Sequence, residues 1–423
     1  MLQFIRNFNT VIFWILTVAY FYQFIYVGVG FFTRKRHKDV PAKKLHKYAA
    51  IIAARNESSV IAQLIENLQD QKYPSDLLDV FVVADNCTDN TAQVARDAGA
   101  IVYERENKVQ VGKGYALDFL FKKILSDHQE AGYEAFFVFD ADNLIDENFV
   151  SEMNKLYDQG YRVATSYRNS KNYGTNWITA GYSLWFLREA RYLNNPRMHL
   201  RTNCAVSGTG FMVAAQIIEK KQGWDYHLLT EDIEFSVDCA IKGELIGYCE
   251  NAKVYDEQPT TFKQSWNQRL RWSKGFYQVT RHYGPSLVRG IFRNRTAMPC
   301  YDMLMTIAPA TLVTLFCVIV NAFFLVIAFS EPFFFALRIL RLAGQSLLFT
   351  LLNFYLLLIL MGGLTLLTEW KAISAKTSEK IRYLFLFPVF IFTYIPICIV
   401  ALVQKVEWKP ISHSVVKSLD QVR

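Results

Sequence analysis

The chain has 423 residues, of which 52% are hydrophobic and 15% are aromatic, and its formal net charge is +8. It is longer than one typical domain and more apolar than an ordinary soluble protein, which directs attention to membrane-spanning segments. Part of the positive charge follows the first apolar segment, so it indicates membrane orientation rather than nucleic-acid binding. The 7 cysteines form no CxxC pair, so they indicate neither a disulfide framework nor a zinc site.

Four segments without a charged residue are long enough to cross a bilayer as helices, which takes about 20 apolar residues. They cover residues 11–32, 303–329, 346–368 and 383–404. The first ends in aromatic rather than small residues, which is typical of a retained anchor and not of a cleaved signal peptide. A basic cluster follows it: Arg34, Lys35, Arg36, Lys38, Lys43, Lys44 and Lys47. The four segments predict a multi-pass protein of the cell membrane. Because basic clusters stay on the cytoplasmic side of a membrane, we expect its polar region to be cytoplasmic.

The sequence leaves the side of the C-terminus open. Three crossings after a cytoplasmic domain would place it outside, whereas the basic residues of the tail favour the inside: Lys405, Lys409, Lys417 and Arg423. Two solutions are consistent with the pattern. Residues 331–345 could join part of the preceding span as a re-entrant or additional segment, or Pro388 and Pro396 could break the last span into a hairpin.

The polar region alternates apolar runs of strand length with helical patterns. The predicted strands cover 48–54, 78–84 and 136–140, and the predicted helices cover 59–68 and 113–125. This alternation predicts an α/β domain with a parallel sheet between helices, in which ligands bind beyond the carboxyl ends of the strands. The absence of a GxGxxG fingerprint and of a GxxxxGK[ST] loop weakens a dehydrogenase or NTPase interpretation. From about residue 262, aromatic and basic residues alternate, which suits an amphipathic element at the membrane interface.

Polar motifs follow these elements in a distinctive order. Asp85 and the pair Asp140 and Asp142 come after apolar runs, Asp232 ends a Thr-Glu-Asp triplet, and a Gln-x-x-Arg-Trp pattern begins at Gln268. This order resembles the membrane-bound, processive branch of glycosyltransferase family 2, which includes cellulose, hyaluronan and poly-N-acetylglucosamine synthases. The resemblance implies a cytoplasmic GT-A (Rossmann-like) domain, rich in parallel strands, between transmembrane helices. The expected divisions are an anchor (1–33), the catalytic domain (34–260), interface helices (261–300), a C-terminal membrane region (301–404) and a tail (405–423).

Asp140 and Asp142 are the predicted metal-binding residues. Departure of a nucleoside diphosphate requires its negative charge to be stabilised, and Mg²⁺ or Mn²⁺ does this with one or two carboxylates plus phosphate and water oxygens. The resemblance makes Asp142 the direct ligand and places Asp140 against the nucleotide-sugar as well. An isolated Asp-x-Asp would more often be a turn or a helix cap, but the remaining motifs favour the metal.

The resemblance also implies contacts to the donor. Arg55 and Glu57 lie in a segment similar to the one that cradles the base, and Asp85 corresponds to the aspartate that contacts the nucleoside. An Asx-turn is the plain alternative for Asp85. Lys113, at a predicted helix start, would add positive charge near phosphate, and the planar Arg271 guanidinium would grip diphosphate oxygens.

The same resemblance assigns the base and the acceptor contacts. Inverting transfer needs one base that takes the proton of the acceptor hydroxyl, and Asp232 matches that position. Alternatively, Glu231 and Asp232 only favour the dipole of a helix N-terminus. Glu231, Gln268 and Trp272 are the expected acceptor contacts; Gln268 and Trp272 lie four apart on one helix face, and an indole can stack on a sugar ring. The alternative is that these aromatic and basic residues only form a belt at the membrane interface.

Two further segments resemble the family. Residues 207–210 are similar to the glycine-containing segment beneath the acceptor, and residues 407–413 are similar to a tail motif of bacterial relatives, to which no chemistry is assigned here. As a plain turn, the first segment would look the same.

The predicted activity is inverting transfer of a sugar, N-acetylglucosamine or glucose, from a UDP-sugar to a growing β-linked polysaccharide that is translocated through the membrane. The implied partners are the UDP-sugar donor, a polysaccharide or lipid acceptor, membrane lipids and, where one exists, an accessory membrane subunit. A relative that adds one sugar to a membrane lipid would share almost every motif. A transporter or an inactive nucleotide-sugar sensor is the alternative of another class, and the lack of ionisable residues in the four apolar segments disfavours it.

Overall fold

The computed structural model describes residues 1–33, 40–308, 310–407, 413 and 415–423, and of residues 310–315 it describes the backbone alone. Arg34, Lys35, Arg36 and Lys38 of the basic cluster and residues 408–412 of the tail motif therefore lie outside the described residues. The strands are β1 (Tyr48–Ala54), β2 (Leu78–Asp85), β3 (Ile101–Arg105), β4 (Ala135–Asp140), β5 (Leu144–Ile145), β6 (Val163–Ser170), β7 (Phe211–Ala214) and β8 (Ile246–Asp256).

Helices precede, connect and follow these strands, and a π-helical turn (Ala190–Asn194) joins the sixth helix to the seventh. Up to the end of the sheet they are α1 (Leu2–Phe32), α2 (Ile61–Gln69), α3 (Thr91–Asp97), α4 (Lys113–Asp127), α5 (Phe149–Asp158), α6 (Trp177–Glu189), α7 (Asn195–Leu200), α8 (Ala215–Lys221) and α9 (Glu231–Lys242). Beyond the sheet they are α10 (Phe262–Ile291), α11 (Ala297–Ile307), α12 (Ala310–Ile327), α13 (Phe333–Thr368), α14 (Thr377–Phe392), α15 (Tyr394–Val403) and α16 (Leu419–Val422).

The strands form one sheet in the order β3-β2-β1-β4-β7-β6-β8-β5. Strands β3, β2, β1 and β4 are parallel to one another, and β6 is parallel to β8. Strand β7 is antiparallel to β4 and β6, and β5 is antiparallel to β8. The predicted GT-A, Rossmann-like α/β fold with a mostly parallel sheet is thus confirmed. Ala54 pairs with Ala84, and Ala53 pairs with Asp140, so the carboxyl ends of these three strands meet at one edge of the sheet.

Alternating side chains of the central strands build a core on each face of the sheet. Phe81 and Val83 of β2 pack with α4 on one face, whereas Val80 and Val82 pack with α2 on the other. Successive strand residues point to opposite faces, so a strand buried on both faces needs an unbroken apolar run. Each such side chain stabilises the fold by about 1.5–3 kcal/mol when fully buried. The two helix layers thereby hold the loops beyond the strand ends in place.

Helices α1, α12 and α13 pack together apart from the sheet. Ile5 of α1, Phe324 of α12 and Ile339 of α13 form a small core, and Asn9 and Asn321 exchange hydrogen bonds of 3.0 and 2.8 Å. By length and composition α1, α13 and residues Thr377–Val403 could each cross a membrane, and Phe316–Ala328 is a shorter apolar helix. The described part of the chain thus contains three candidate membrane-spanning helices.

The predicted single segment 303–329 is wrong, because two helices, α11 and α12, share it. Ala308 ends α11 in an extended conformation with φ −86° and ψ 155°. The next residue in the sequence is Pro309, and proline disfavours helical geometry in the residue before it. A proline therefore separates the helix that packs beside the catalytic domain from the apolar helix that follows.

The last apolar segment contacts the catalytic domain near both of its ends. Residues 331–345 did not join the preceding span, since α13 begins at Phe333 and runs unbroken to Thr368. Thr393 keeps helical dihedral angles (φ −64°, ψ −16°), so the prolines make no hairpin and α14 continues into α15. Tyr383 in α14 packs on Tyr173, and Lys274 Nζ in α10 donates to Ala401 O at the end of α15 at 2.9 Å. A helix that contacts one domain near both of its ends does not carry the chain away from that domain.

The tail returns to the catalytic domain. Val422 is buried against Leu144 and Tyr255, and Arg423 Nη2 lies 3.0 Å from Asp146 Oδ2. Gln63 Nε2 of α2 donates to the Lys417 carbonyl oxygen at 2.6 Å. The described part of the tail therefore lies against the catalytic domain.

Candidate active site

Lys113 joins two loops beyond the carboxyl ends of the central strands. It is the first residue of α4, and its Nζ donates to Asp140 Oδ1 and, at 2.7 Å, to Gly208 O. The Asp140 amide donates to Thr209 Oγ1 at 3.0 Å, which ties residues 207–210 to the end of β4 a second time. Burial opposes ionisation of Asp140, but Lys113 and Arg168 hold its pKa below the usual value. Asp140 is therefore an ionised carboxylate at the centre of the site.

Asp142 lies in a second charged cluster directly after Asp140. It is buried, and its Oδ2 accepts from the Glu257 amide at 2.8 Å. Glu57, after β1, contacts His413 of the tail with 2.9 Å between Oε1 and Nδ1. Burial raises the pKa of Glu57. Burial would lower the pKa of His413, but the charges of Asp142 and Glu57 raise it to about 10, so the imidazole is protonated.

The carboxylates at this edge suit a divalent cation with oxygen ligands. Asp140 and Asp142 leave the same strand two residues apart, and Glu57 Oε2 is a buried oxygen without a hydrogen-bond partner among the described residues. Within the described ranges, no three His, Cys, Asp or Glu side chains gather as a complete metal cage. Mg²⁺ and Mn²⁺ commonly bind one or two carboxylates and take further oxygens from phosphate and water. The residues present fit that mode of binding.

Glu231 and Asp232 begin α9 and face the same space. Gly208 has φ +77°, and a β-carbon there would lie 3.5 Å from Asp232 Oδ2, so the bare backbone of the glycine adjoins this carboxylate. Burial raises the pKa of Asp232, against the opposing charges of Lys113 and Arg271. Burial raises the pKa of Glu231 too, and the adjacent charge of Asp232 adds to the shift. Lys113 donates to both Asp140 and the Gly208 carbonyl oxygen, and Gly208 adjoins Asp232, so the two carboxylates lie on the same side of the sheet edge.

Helix α10 places the Gln-x-x-Arg-Trp pattern beside α9. Arg271 Nη1 donates to the Leu229 carbonyl oxygen at 2.9 Å, directly before the Thr-Glu-Asp triplet. Trp272 is half-buried and lies edge-on to Tyr182 and Phe186, with ring centroids 5.7 and 6.2 Å away. Gln268 Oε1 is buried without a hydrogen-bond partner among the described residues. The helix thus brings a guanidinium, an indole and an unsatisfied amide oxygen to the predicted acceptor side.

The predicted nucleoside contacts lie farther along the same strand edge. Arg55 follows β1 and is partly exposed, whereas Asp85 ends β2 and is buried. Asp85 forms an ion pair with Arg105, and Asn86 Nδ2 also donates to it at 3.1 Å. Asp85 is therefore held by its own partners and does not touch the Lys113 and Asp140 pair directly.

Sequence reasoning missed several charged residues of the site. Arg168 of β6 donates through Nε to Asp256 Oδ2 at 2.8 Å and through Nη1 to Ser207 O at 2.7 Å. Its guanidinium lies 3.7 Å from the ring centroid of Phe186. No motif marks Arg168 or Asp256 in the sequence. His413, by contrast, stands in the tail motif that resembles bacterial relatives, and that motif was the available signal.

Comparison with known proteins shows the family of the chain. A family model described as "Glycosyltransferase like family 2" matches residues 46–275, more than half of the chain. A β-monoglucosyldiacylglycerol synthase of a Nostoc species is 28% identical over 288 residues, which cover 65% of this chain and 58% of that protein. A poly-β-1,6-N-acetyl-D-glucosamine synthase of Staphylococcus aureus is 23% identical over 285 residues, covering 63% of each. The chain therefore spans less than two thirds of the length of these curated relatives.

Solved structures give a weaker match. A mannosyltransferase from Pyrobaculum calidifontis, in complex with GDP-mannose and Mn²⁺, is 16% identical with a TM-score of 0.47. The alignment covers 80% of this chain and 98% of that structure.

Proposed function

Because the chain belongs to glycosyltransferase family 2, we propose that this hexosyltransferase moves a sugar from a UDP-sugar to a membrane-bound acceptor with inversion at the sugar carbon. The observation that carries the proposal is the placement of Lys113 between Asp140 and Gly208, with Asp232 beside Gly208, at the carboxyl edge of the sheet. In sheets of this kind ligands bind at that edge.

The charged groups around Asp140 suit a sugar diphosphate. Asp142, with Asp140, would hold Mg²⁺ or Mn²⁺ against the diphosphate, and the cation supplies positive charge for the leaving UDP. Lys113 and Arg271 would contact phosphate oxygens from the opposite side. Arg55, Glu57 and Asp85 would border the nucleoside, since they lie at the carboxyl ends of the neighbouring strands β1 and β2.

Asp232 is the proposed base. Its carboxylate takes the proton of the acceptor hydroxyl while that oxygen forms a bond to the anomeric carbon of the sugar. The bond from this carbon to the diphosphate breaks on the opposite face, and UDP leaves with the electron pair. Gly208 has no side chain, so a sugar or glycerol hydroxyl can approach Asp232 across its backbone. Glu231, Gln268 and Trp272 would orient the acceptor.

We infer which helices cross the membrane from the contacts that their ends make with the catalytic domain. We place α12 and α13 as two crossings after the domain, because the end of α13 is bound again at Glu369 by Tyr167 of β6, with 2.7 Å between oxygens. Helix α1 is the crossing before the domain. With the basic residues after α1 inside, the catalytic domain and the tail are both cytoplasmic. The continuous helix α14–α15 exposes Ile381, Phe385 and Val389, so it lies on the membrane surface beside α10.

A lipid that receives one sugar is the acceptor that this arrangement favours. Ile5, Ile339 and Ala343 fill the space between α1 and α13 and are at most 1% exposed, so that part of the bundle encloses no channel for a polysaccharide. Helices α10 and α14–α15 instead bring the membrane surface to the acceptor side of the site. The similarity to a β-monoglucosyldiacylglycerol synthase supports the same acceptor class.

Extension of a β-linked polysaccharide is the second candidate. The Gln-x-x-Arg-Trp pattern supports it, because Trp272 is held edge-on by two aromatic rings and could stack on a terminal sugar. The similarity to a poly-N-acetylglucosamine synthase points in the same direction.

Product analysis separates the two candidates. Purified protein in vesicles would receive a panel of UDP-sugars, and the products would be examined by mass spectrometry, with the Asp232→Asn variant as the inactive control. The proposal predicts lipids that carry one sugar. A ladder of products with many sugars would replace the lipid proposal with polysaccharide extension, and no product of either kind would refute the proposed transfer.

A further inference from the structure

A cavity of about 410 Å³ lies where α1 meets the end of α7 and the loop between α10 and α11. Pockets of roughly 300–1,000 Å³ commonly hold small ligands. Ile25, Arg201, Asn294 and Arg295 are among its lining residues. The active site is at the other edge of the sheet: Asn203, next to the cavity, accepts a hydrogen bond from the amide of Ile246 at the start of β8. The cavity is therefore a separate feature from the catalytic centre.

A buried ion pair fixes the walls of this cavity. Asp302 of α11 accepts from Arg197 of α7 at 2.7 and 2.8 Å, and also from Tyr22 and Tyr26 of α1 at 3.1 and 2.9 Å. All four side chains are at most 9% exposed. These contacts hold the three helices together whether or not the cavity is filled. They also neutralise Arg197, so it contributes no free charge.

Two other arginines at the cavity carry charge that the protein does not neutralise. Arg201 and Arg295 are both exposed, and neither has a carboxylate within ion-pair distance among the described residues. A guanidinium presents a planar fork of N–H donors that matches a phosphate group. The side-chain amide of Asn294, which also lines the cavity, offers one further donor. The polar part of the cavity is thus suited to a phosphate.

One wall of the cavity continues into an apolar stripe along α1. Trp14, Val18, Phe21, Ile25 and Phe32 recur at helical spacing, and each is more than half exposed. Ile25 belongs both to this stripe and to the cavity lining. A ligand whose phosphate met the arginines could therefore lay hydrocarbon along α1 without leaving the protein surface.

From this juxtaposition we propose that the cavity binds the phosphate headgroup of an anionic membrane phospholipid, with its acyl chains along α1. Basic pockets between membrane helices on the cytoplasmic side recognise such headgroups. The occupant is a lipid rather than free phosphate because the arginines adjoin exposed hydrocarbon. The inference rests on the proposed membrane placement of α1 and adds a lipid site beyond the proposed glycosyl transfer.

The test is direct lipid binding, which needs no turnover. Phosphatidylglycerol and phosphatidylcholine would be titrated separately into detergent-purified wild type, Arg201→Gln, Arg295→Gln and the double variant, with bound lipid read by native mass spectrometry. Glutamine is tolerated at residue 201, which has φ +53°, because Gln222 of this chain adopts φ +56°. Lys220→Gln removes an exposed charge on α8, remote from the cavity lining, and is the matched control.

We expect the wild type to prefer phosphatidylglycerol, each single variant to bind it roughly fivefold more weakly and the double variant about thirtyfold more weakly. Lys220→Gln should bind like the wild type, and inorganic phosphate should not displace the lipid. Equal binding of both lipids, wild-type affinity in the double variant, or displacement by phosphate alone would each overturn the lipid site. If the lipid site is refuted in one of these ways but the wild type in proteoliposomes still releases UDP, the proposed glycosyl transfer is unaffected.

Discussion

Replacing Asp232 with asparagine tests the proposed base with little change in shape. Asparagine has nearly the same volume, and the groups that would hold the donor, Lys113, Asp140 and Asp142, make no hydrogen bond to the Asp232 side chain. Loss of a general base costs about 10²- to 10⁴-fold in rate, which corresponds to about 2.7–5.5 kcal/mol in the activation barrier. If Asp232 only favoured the dipole of α9, the substitution would cost about 0.3–1 kcal/mol of stability and little activity. A base would therefore be recognised by a lower rate, and a residue that only favours the helix dipole by a lower stability.

The assay measures kcat for UDP release, the dissociation constant of the UDP-sugar and the melting temperature in one preparation. Glu234→Gln is the matched control, because Glu234 lies in the same first turn of α9 but binds the Leu228 amide and Tyr283 at 2.9 and 3.1 Å. We expect Asp232→Asn to lose at least about a hundredfold in kcat with donor affinity kept, and Glu234→Gln to keep its turnover within about fivefold. Equal losses in the two variants, or loss of donor affinity in Asp232→Asn, would refute the assignment of the base.

Three further predictions follow from the same site. Chelation of divalent cations should abolish UDP release, and Mg²⁺ or Mn²⁺ should restore it; full turnover in chelator would exclude the roles given to Asp140 and Asp142. Because burial raises the pKa of Asp232, the carboxyl keeps its proton to higher pH than usual, so kcat should rise with pH above about 4 and then level off. A kcat that stays constant as the pH rises above about 4 would contradict the proposed titration of Asp232. Trp272→Phe should raise the acceptor KM about fivefold at unchanged donor KM, because phenylalanine keeps the packing on Tyr182 but offers a smaller ring; an unchanged acceptor KM would argue for a purely structural tryptophan.

Elements of the fold could be predicted from the sequence where the local hydrophobic pattern agrees with the burial of the residues. Strands β1, β2 and β4 are apolar runs buried on both faces, and the polar residues after them had to meet at one edge because parallel strands share their direction. Lys113 was expected near phosphate at a helix start, and α4 does begin at that edge, but its ion pair with Asp140 was not predicted. The helical spacing likewise placed Gln268 and Trp272 together on α10.

Contacts between distant segments were not predictable in the same way. His413 meets Glu57 across 356 positions of sequence, and Arg168 meets Asp256 across 88, with no periodic signal to mark either pair. The prediction of membrane segments was confirmed in part: three described helices are long and apolar enough to cross a membrane, but residues 303–329 are divided between two helices. Apolar length alone does not show which other segments a helix contacts, so the contacts of Tyr383 with Tyr173 and of Lys274 with Ala401 could not be predicted from it.

The most direct test of the account measures nucleotide release and the configuration of the product in one experiment. Purified protein in vesicles with divalent metal would be given α-linked UDP-sugars and, separately, GDP-sugars, and the anomeric configuration of the glycosylated product would be read by NMR. The account predicts that a UDP-sugar alone is consumed, that one UDP is released for each sugar transferred, and that the new bond is β. A product that keeps the α configuration, or turnover of GDP-sugars alone, would contradict it.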